Sequence, residues 1–381
     1  GTISNSNSDP NKMQHKFPAP RIDALPLMAP QILAEPDNVP SPGVIRLNLN
    51  ESPLPPSPRA IAAMREAIQY SHRYPDHSCS ALAKIISHRT GIAADQIVFG
   101  NGSGEMLVAA AAVAIQPSDL AVLPQPTFPP VGKNILLAGG EIVPVPVLGN
   151  GANDVSAMID AISDRTSLVY LCTPNSPTGG LLDRKDLSRA ADTVPERCLL
   201  MVDEAYHEFG TWEGGPDVLS ILAGRKGPWV VIRTFSKAYG LSGVRLGYAI
   251  LSDTDLATGF SKMRSGFNVN RIALAGACAA MQDQEYLDHV LEQVSTERDR
   301  LAIRMTALGL SVFPSAANFV LARTKTPARP LADHLATHNI LIQALAWPDE
   351  LGSIRVTAGT REHNDAFLAV LEDFLHQEAI S

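Results

Sequence analysis

The sequence predicts an α/β fold, with a large domain built on a mostly parallel seven-stranded sheet and a smaller α+β domain after it. Seven short segments between about residues 97 and 251 are apolar on both faces and alternate with helical stretches. Strands of this kind belong in a buried, mostly parallel sheet flanked by helices. A chain of 381 residues, 45% of them hydrophobic, is also long enough for more than one domain and a large core.

The predicted organisation has three parts. Residues 1–42 are rich in Ser, Asn and Pro with almost no apolar periodicity, which predicts a flexible head followed by an extended arm. Residues 43–266 are predicted to form the large domain. Residues 267–381 are predicted to form the small domain, together with part of the arm.

Two helices are predicted before the first strand of the sheet. In SPRAIAAMREAIQYS, Ser57 is a helix cap and Pro58 occupies the first helical position, ahead of a one-sided apolar stripe. In SALAKIISHRTG, Gly91 is placed to end a helix whose stripe includes Leu82 and Ile86.

The predicted strands of the large sheet are IVF from Ile97, LAVL from Leu120, EIVPVPV from Glu141, SLVYLC from Ser167, CLLMVD from Cys198, WVVIRT from Trp229 and RLGYAIL from Arg245. After Phe267 a long helical stretch runs to about Leu308. The short segments VF, NFVLAR, NILIQAL and SIRVTAG then predict a second strand set, and a last helix is expected around residues 364–379.

Charge and cysteine content exclude several classes of function. The chain has 31 Lys and Arg against 39 Asp and Glu, a net charge of −8, which gives no general attraction for nucleic acid or anionic lipid. No apolar run is long enough to cross a bilayer. The four cysteines are far apart and the histidines lie in no metal-ligand array, so we expect reduced thiols, a cytoplasmic location and no metal.

A glycine-rich loop, GNGSG at residues 100–104, lies between a short strand and an apolar helical run. Backbone N–H groups at the start of a helix form a site for phosphate. The spacing is neither GxGxxG nor the P-loop, so the two common nucleotide-binding interpretations lose support. An ordinary tight turn stays open as the alternative for this loop taken alone.

Two charged residues follow buried strands. Asp203 ends CLLMVD, and ligands of open parallel sheets lie at the carboxyl ends of the strands, where a carboxylate can pair with a cationic ring nitrogen. Lys237 follows WVVIRT, with Thr234 and Ser236 beside it and Arg245 eight residues later. Such a lysine can be a Schiff-base nucleophile beside a phosphate site. The alternatives are a helix N-cap for Asp203 and a surface position for Lys237.

At these residues the chain resembles the fold-type I pyridoxal 5'-phosphate (PLP) enzymes, and within them the aminotransferases similar to histidinol-phosphate aminotransferase. Eight motifs between about residues 46 and 374 carry the resemblance in order: NLNESPLPPSP, RYPD, GNGSGEM, TPNSPTG, VDEAYHEF, RTFSKAYGLSGVRLGY, FNVN and SIRVTAGT. The resemblance implies a PLP-dependent aminotransferase that works as a homodimer.

The resemblance implies roles for residues around the cofactor. Lys237 would bind the cofactor aldehyde and later act as general base, Asp203 would keep the ring nitrogen protonated, and Tyr206 would hydrogen-bond the phenolic oxygen. Tyr74, in RYPD, would reach the phosphate in the neighbouring subunit. The set expected to hold the phosphate within one chain is Gly102, Ser103, Gly104, Thr234, Ser236 and Arg245.

The resemblance also implies a substrate site and shows where this sequence departs from the family. Arg355 would bind the substrate α-carboxylate through a bidentate contact, and Asn50 would lie in the same site. Four further positions differ from the usual residues. They are Ser176 for the usual Asn beside the cofactor, with Asn175 one position earlier, Phe128 for a stacked Tyr, Gln343 for an Arg that binds substrate phosphate, and Leu27 for a Tyr of the arm.

These departures predict a substrate other than histidinol phosphate, because a buried phosphate dianion needs a fixed cation. We expect an L-amino acid, apolar or aromatic, as donor and 2-oxoglutarate or a similar 2-oxo acid as acceptor. The alternative is a PLP-dependent decarboxylase similar to threonine-phosphate decarboxylase, since substrate orientation decides which Cα bond breaks. A PLP-binding regulatory protein without turnover is disfavoured, because the chain carries the catalytic positions and has no added DNA-binding domain.

Overall fold

The computed structural model describes residues 17–27 and 34–381. The rest of the predicted head and arm, residues 1–16 and 28–33, lies outside the described residues. Within the arm, Pro20–Asp23 form a one-turn helix, α1. This short helix was not predicted; Pro20 occupies its first position, where the fixed φ of proline favours a helix.

The described residues form fourteen α-helices and thirteen strands. The helices after α1 are α2 Pro58–Ala67, α3 Ser80–Thr90, α4 Ser103–Ala114, α5 Pro129–Leu137, α6 Val155–Asp160, α7 Arg184–Thr193, α8 His207–Trp212, α9 Val218–Leu222, α10 Thr254–Lys262, α11 Arg271–Met281, α12 Gln284–Ala307, α13 Ala328–Thr337 and α14 Arg361–Ile380. The strands are β1 Ile45–Arg46, β2 Ile97–Gly100, β3 Leu120–Gln125, β4 Glu141–Pro146, β5 Thr166–Cys172, β6 Leu199–Asp203, β7 Trp229–Thr234, β8 Gly247–Leu251, β9 Ser311–Val312, β10 Phe319–Arg323, β11 Ile340–Leu341, β12 Gln343–Leu345 and β13 Ser353–Thr357.

The central sheet has the strand order β2-β8-β7-β6-β5-β3-β4. The pairs from β7 to β4 are parallel, whereas β8 is antiparallel to both of its neighbours. The predicted mostly parallel seven-stranded sheet is therefore confirmed. Because β5, β6 and β7 are adjacent and parallel, the residues that follow them meet at one edge of the sheet.

Both faces of the sheet are covered, as strands with two apolar faces require. Val202 and Val231 belong to one buried cluster, while Met201, Val230 and Ile232, their neighbours along the strands, belong to a separate one on the opposite face. Side chains alternate between the faces of a strand, so each strand supplies both layers.

The two predicted N-terminal helices are present, α2 with the predicted start and α3 with the predicted end, while α2 stops at Ala67, before Ile68 of the predicted stripe. The Ser57 hydroxyl accepts a hydrogen bond of 3.0 Å from the Ala60 N–H at the start of α2, which is the contact a serine cap makes. Gly91 ends α3 with a φ of +74°, a conformation that glycine adopts without strain. The long helical stretch after Phe267 is divided at Asp283, which caps the start of α12 through the Tyr286 N–H.

The C-terminal part has its own four-stranded sheet, in the order β12-β13-β10-β9, and its own buried cluster. The segment NILIQAL, predicted as one strand, is divided between two sheets, because β11 pairs with β1 while β12 pairs with β13. Leu47, just after β1, packs in this C-terminal cluster. The chain before α2 is therefore attached to the C-terminal sheet, while the boundaries at residues 42 and 266 stay predictions. None of the helices in the described ranges has the length and apolar character needed to cross a membrane.

Candidate active site

A cavity of about 550 Å³ opens at the carboxyl ends of β5, β6 and β7. Its wall combines charged groups, hydroxyls and a few apolar side chains. The lining residues are Arg46, Leu49, Glu51, Ser103, Gly104, Phe128, Cys172, Ser176, Asp203, Ala205, Tyr206, Thr234, Ser236, Lys237, Ser242, Gly243 and Arg245. The cavity brings together most of the predicted cofactor residues.

Asp203 is the last residue of β6, and only 4% of it is exposed. One carboxylate oxygen, Oδ2, accepts a hydrogen bond of 2.6 Å from the Tyr170 hydroxyl, and Oδ1 accepts one of 3.1 Å from the Ala205 N–H. Burial raises the pKa of Asp203 to about 6, while these two donors act in the opposite direction. Within the described ranges no cation forms an ion pair with Asp203, so a cationic partner in the cavity would stabilise the carboxylate.

Lys237 lies three residues beyond the end of β7, and its Nζ donates a hydrogen bond of 3.2 Å to the Leu49 carbonyl. Burial lowers the pKa of Lys237 to about 8, and the positive charges of Arg355 and Arg245 add to this effect, against the charge of Glu51. Near neutral pH an appreciable fraction of Lys237 is therefore the neutral amine, which is the nucleophilic form.

An anion cradle forms where α4 begins. Gly102 precedes α4 with a φ of +80°, and a Cβ there would lie 2.3 Å from Nη2 of Arg245, so only glycine admits the guanidinium. Nη1 of Arg245 donates a 3.2 Å hydrogen bond to the Ser236 hydroxyl. Arg245 itself has a φ of +59°, a left-handed conformation that is uncommon for a residue with a Cβ. Helix N–H groups, hydroxyls and an arginine together form a site for a phosphate.

Tyr206 is oriented by residues from distant parts of the chain. The Asn50 side chain donates a 2.9 Å hydrogen bond to the Tyr206 hydroxyl, and Ser176 hydrogen-bonds the same hydroxyl. Asn50 is held in turn by Thr357, which accepts from the Asn50 N–H at 2.9 Å and donates to its side-chain oxygen at 3.0 Å. Burial raises the pKa of Tyr206, so its hydroxyl keeps its proton and can donate.

Arg355, in β13, is a half-buried cation next to this cluster. Its Nη2 donates a 2.8 Å hydrogen bond to the Asn48 carbonyl, and its buried Nε has no hydrogen-bond partner in the part of the chain that the structure describes. Among residues 17–27 and 34–381 no carboxylate pairs with Arg355. Gln343 is the direct cross-strand partner of Arg355, so a neutral amide stands beside the guanidinium.

Leu27, Tyr74 and Asn175 lie away from the cavity of this chain, and Gly102, Asn50, Gln343 and Arg355 are not among its lining residues. Leu27 is 97% exposed, and Tyr74 is 78% exposed and stacks on Phe267 with ring centroids 4.5 Å apart. Asn175 is fully buried, but its side chain bonds to Thr178, Thr127 and the Pro126 carbonyl. Of the two neighbours considered for the cofactor contact, Ser176 lies in the cavity wall, whereas the side chain of Asn175 bonds to Thr178 and to the segment after β3.

Sequence reasoning did not identify Tyr170, Cys172 or the Arg46–Glu51 pair. Cys172 is the cross-strand partner of Asp203, and Tyr170 lies two residues earlier on the same face of β5. Period-two alternation places Tyr170 and Cys172 on one face, but the register that brings Tyr170 to Asp203 has no signal in the sequence. Arg46 pairs with Glu51 in the wall and with Glu35 at 2.7 Å outside it.

The residues of this cavity fit PLP. The buried carboxylate of Asp203 suits a protonated ring nitrogen, the cradle at Gly102 suits a phosphate dianion, and Lys237 supplies the amine that bonds an aldehyde. Phe128 and Ala205 line the space between them and offer apolar surface to a flat ring. Each group of the cofactor thus has a complementary group in this chain.

Comparisons with known proteins agree with the fold and the cavity. The family model for aminotransferase class I and II matches residues 42–371. The chain is 38% identical to histidinol-phosphate aminotransferase 1 of Nitrosococcus oceani over 88% of this chain and 90% of the relative. It is 33% identical to histidinol-phosphate aminotransferase of Bacillus subtilis, over 87% of this chain and 92% of the relative.

A crystal structure of histidinol-phosphate aminotransferase from Sinorhizobium meliloti, in complex with PLP, superposes with a TM-score of 0.86. It is 28% identical and covers 96% of this chain and 99% of that one. The fold and the site define a fold-type I PLP-dependent enzyme. The chain belongs to the class I and II aminotransferases, and it is a transaminase with PLP as its cofactor. The predicted family, fold and cofactor are confirmed.

Proposed function

We propose that this enzyme transfers the amino group of an apolar or aromatic L-amino acid to a 2-oxo acid, with Arg355 binding the α-carboxylate of each. The half-buried guanidinium of Arg355, which pairs with no carboxylate among the described residues and has a buried Nε without a hydrogen-bond partner there, carries the proposal. Burial lowers the pKa of Arg355, which shows that its charge is poorly solvated. A substrate carboxylate would supply the missing anion in bidentate geometry.

For the cofactor, we propose the same contacts that the sequence predicted. Lys237 bonds the cofactor aldehyde, Asp203 faces the ring nitrogen, and Tyr206 with Ser176 faces the phenolic oxygen. Support comes from their common position in one cavity wall. The phosphate is assigned to the N–H groups around Gly102 and Gly104 and to Ser103, Thr234, Ser236 and Arg245.

PLP supplies an electron-accepting ring that takes up the electron pair left when a Cα–H bond breaks. The protein chain supplies the group that binds the substrate and the base that takes the proton. Arg355 fixes the substrate by its carboxylate, and Nζ of Lys237, once released by the incoming amine, takes the proton from Cα. A pKa of about 8 makes Nζ an effective base near neutral pH, because the neutral amine is readily populated.

The side-chain preference is proposed from the neutral wall beside Arg355. Gln343, the cross-strand partner of Arg355, offers an amide where a second cation would be needed for a phosphate dianion. A phosphate without charge-assisted partners would bind several kcal/mol more weakly than in a site with them. These contacts favour an apolar or aromatic donor.

Histidinol phosphate is the second candidate, because relatives with that name match most of the chain. It has no carboxylate, so its phosphate would have to be bound by Arg355 with only the uncharged Gln343 beside it. The decarboxylase alternative is not favoured, since the family and the compared relatives are aminotransferases.

A substrate screen tests the proposal. The holoenzyme is mixed with each common L-amino acid or with histidinol phosphate, and the visible absorbance of the cofactor, the 2-oxo acid and CO2 are measured. We expect an absorbance change and 2-oxo acid with aromatic or large apolar amino acids, and little change with histidinol phosphate. The Gln343→Arg variant should gain at least tenfold in kcat/KM for histidinol phosphate. A strong preference of the wild type for histidinol phosphate would contradict the proposed donor, and CO2 without 2-oxo acid would contradict transamination.

We further propose that the working form is a homodimer in which Tyr74 reaches the phosphate site of the partner. Tyr74 and its stacking partner Phe267 are exposed, as are Ile68 and Tyr70 nearby in the chain. Mixing Lys237→Ala chains with Tyr74→Ala chains should restore activity, because each mixed dimer contains one intact site. Light scattering that shows a monomer, or no recovery on mixing, would contradict this. We also propose a cytoplasmic location, which the four free thiols support.

A further inference from the structure

Tyr170 lies in the middle of the central sheet and contacts the most deeply buried carboxylate of the cavity. None of its surface is exposed, and its position in β5 is fixed by pairing with Met201 of β6. Its hydroxyl donates the 2.6 Å hydrogen bond to Oδ2 of Asp203. Tyr170 does not line the cavity, so it contacts Asp203 from behind.

Asp203 has few other sources of stabilisation. Among the described residues, Tyr170 is the one side chain that donates a hydrogen bond to it, and the Ala205 N–H is its backbone donor. The other titratable groups that interact electrostatically with Asp203 are Cys172 at the end of β5 and Glu204, the residue after β6. Lys237 and Tyr206 line the same cavity. Arg233 forms an ion pair with Glu204 at 3.0 Å, so its positive charge is neutralised by Glu204 and does not stabilise the Asp203 carboxylate.

We propose that Tyr170 is a positioning residue that keeps the Asp203 carboxylate ionised and aimed into the cavity, so that the proton shared with the cofactor ring nitrogen stays on the nitrogen. The inference rests on the proposed function, in which Asp203 faces that nitrogen. A buried carboxylate and a pyridine nitrogen share one proton, and its position depends on how well the protein stabilises the carboxylate anion.

The hydrogen bond from the Tyr170 hydroxyl affects the position of this proton in two ways. A phenol O–H stabilises the anion more than the protonated acid, so it opposes the effect of burial, which raises the pKa of Asp203 to about 6. Because the phenol occupies Oδ2 and the Ala205 N–H occupies Oδ1, the carboxylate plane is fixed and the remaining lone pairs are available to the cavity.

The first test uses the cofactor-free protein, so that it does not depend on turnover. The pKa of Asp203 is measured from the carboxyl ¹³C resonance of aspartate-labelled protein, assigned by its absence in Asp203→Asn. In Tyr170→Phe we expect the Asp203 pKa to rise by about one unit, a tenfold gain in proton affinity. Tyr248→Phe, which removes the hydroxyl of another buried tyrosine of the same sheet, should leave it unchanged.

The second test uses the reconstituted enzyme. In Tyr170→Phe the ¹⁵N resonance of the labelled cofactor ring should move toward that of unprotonated pyridine, and kcat should fall about tenfold with KM nearly unchanged. Incorporation of 3-fluorotyrosine gives a check that needs no substitution. Its more acidic phenol is a stronger donor, so the Asp203 pKa should fall.

An Asp203 pKa that stays the same in folded Tyr170→Phe, or in fluorotyrosine protein if that variant does not fold, would overturn the inference. Failure of the proposed function would look different, because wild-type protein would then not develop the visible absorbance of the bound cofactor on addition of PLP, whatever the pKa of Asp203.

Discussion

The cofactor side of the cavity and its substrate side are assembled from the chain in different ways. On the cofactor side, Asp203 ends β6 and Lys237 follows β7, and these strands are hydrogen-bonded neighbours. On the substrate side, Asn50 and Arg355 come from segments about 300 residues apart and meet through the C-terminal sheet. The cofactor side is thus fixed by one rigid sheet, whereas the substrate side depends on contacts between distant segments.

This difference predicts that the two sides respond separately to substitution. Variants on the cofactor side should lose cofactor chemistry whatever substrate is offered. Variants on the substrate side should retain the bound cofactor and lose substrate affinity or orientation.

The largest effect is expected for Lys237→Ala. Loss of both the covalent attachment and the general base should lower kcat by at least about 10⁴-fold with every amino donor. Stopped-flow and steady-state assays measure the loss, and Lys84→Ala, at an exposed lysine of α3, is the control expected to match wild type. Activity within tenfold of wild type in Lys237→Ala would place the catalytic amine elsewhere.

Arg355→Lys tests the substrate side. We expect kcat/KM for amino acids to fall about 10²–10³-fold, since an ammonium cannot form the bidentate contact with a carboxylate. The cofactor dissociation constant and visible spectrum should stay close to those of wild type, because Arg355 does not line the cofactor cavity. Equal losses of cofactor and substrate affinity would show that the two sides are not separable.

Asn50→Ala should lower activity less than Arg355→Lys does, and it should affect both the cofactor side and the substrate side of the cavity. The Tyr206 hydroxyl loses its 2.9 Å donor, so we expect kcat to fall about tenfold. Thr357 loses its partner as well, which should lower the free energy of unfolding by about 1–3 kcal/mol. Asn364→Ala, at a buried asparagine hydrogen-bonded to Gly359 and Glu297, is the matched control and should lose stability without loss of kcat.

The smallest predicted effect is a pH dependence of cofactor binding. The neutral amine of Lys237 is the reactive form, and its pKa is lowered to about 8, so the rate of reconstitution from PLP should rise with pH. The rise should be about fivefold between pH 7 and 8 and less than twofold from pH 8 to 9. A rate that keeps rising tenfold per unit to pH 10 would mean that the lysine has an ordinary pKa.

The cofactor side was predictable because its signals are local. Asp203, Lys237 and Arg245 lie within motifs of a few residues next to strands with two apolar faces, and the predicted seven strands are present. The exact strand ends and the register between strands were harder to predict from the sequence. The strand expected from Arg245 begins at Gly247, because Arg245 itself adopts a left-handed conformation to reach the cradle.

The substrate side of the cavity, and the hydrogen bonds that hold the cavity residues from behind, could not be predicted from local sequence patterns. The hydrogen bonds between Asn50 and Thr357 join residues 307 positions apart, and no short motif encodes that distance. The contact between Tyr170 and Asp203 depends on the register of β5 against β6. Leu27 was predicted at the substrate but is exposed in this chain, so a role there would need the partner subunit.

The most direct measurement is the site of covalent attachment of the cofactor. Wild-type protein is reconstituted with PLP, reduced with borohydride, digested and analysed by mass spectrometry. The account predicts a single pyridoxyl phosphate group on the peptide that contains Lys237. A modified peptide containing any other lysine in place of Lys237, or no modified peptide from fully folded protein, would contradict it.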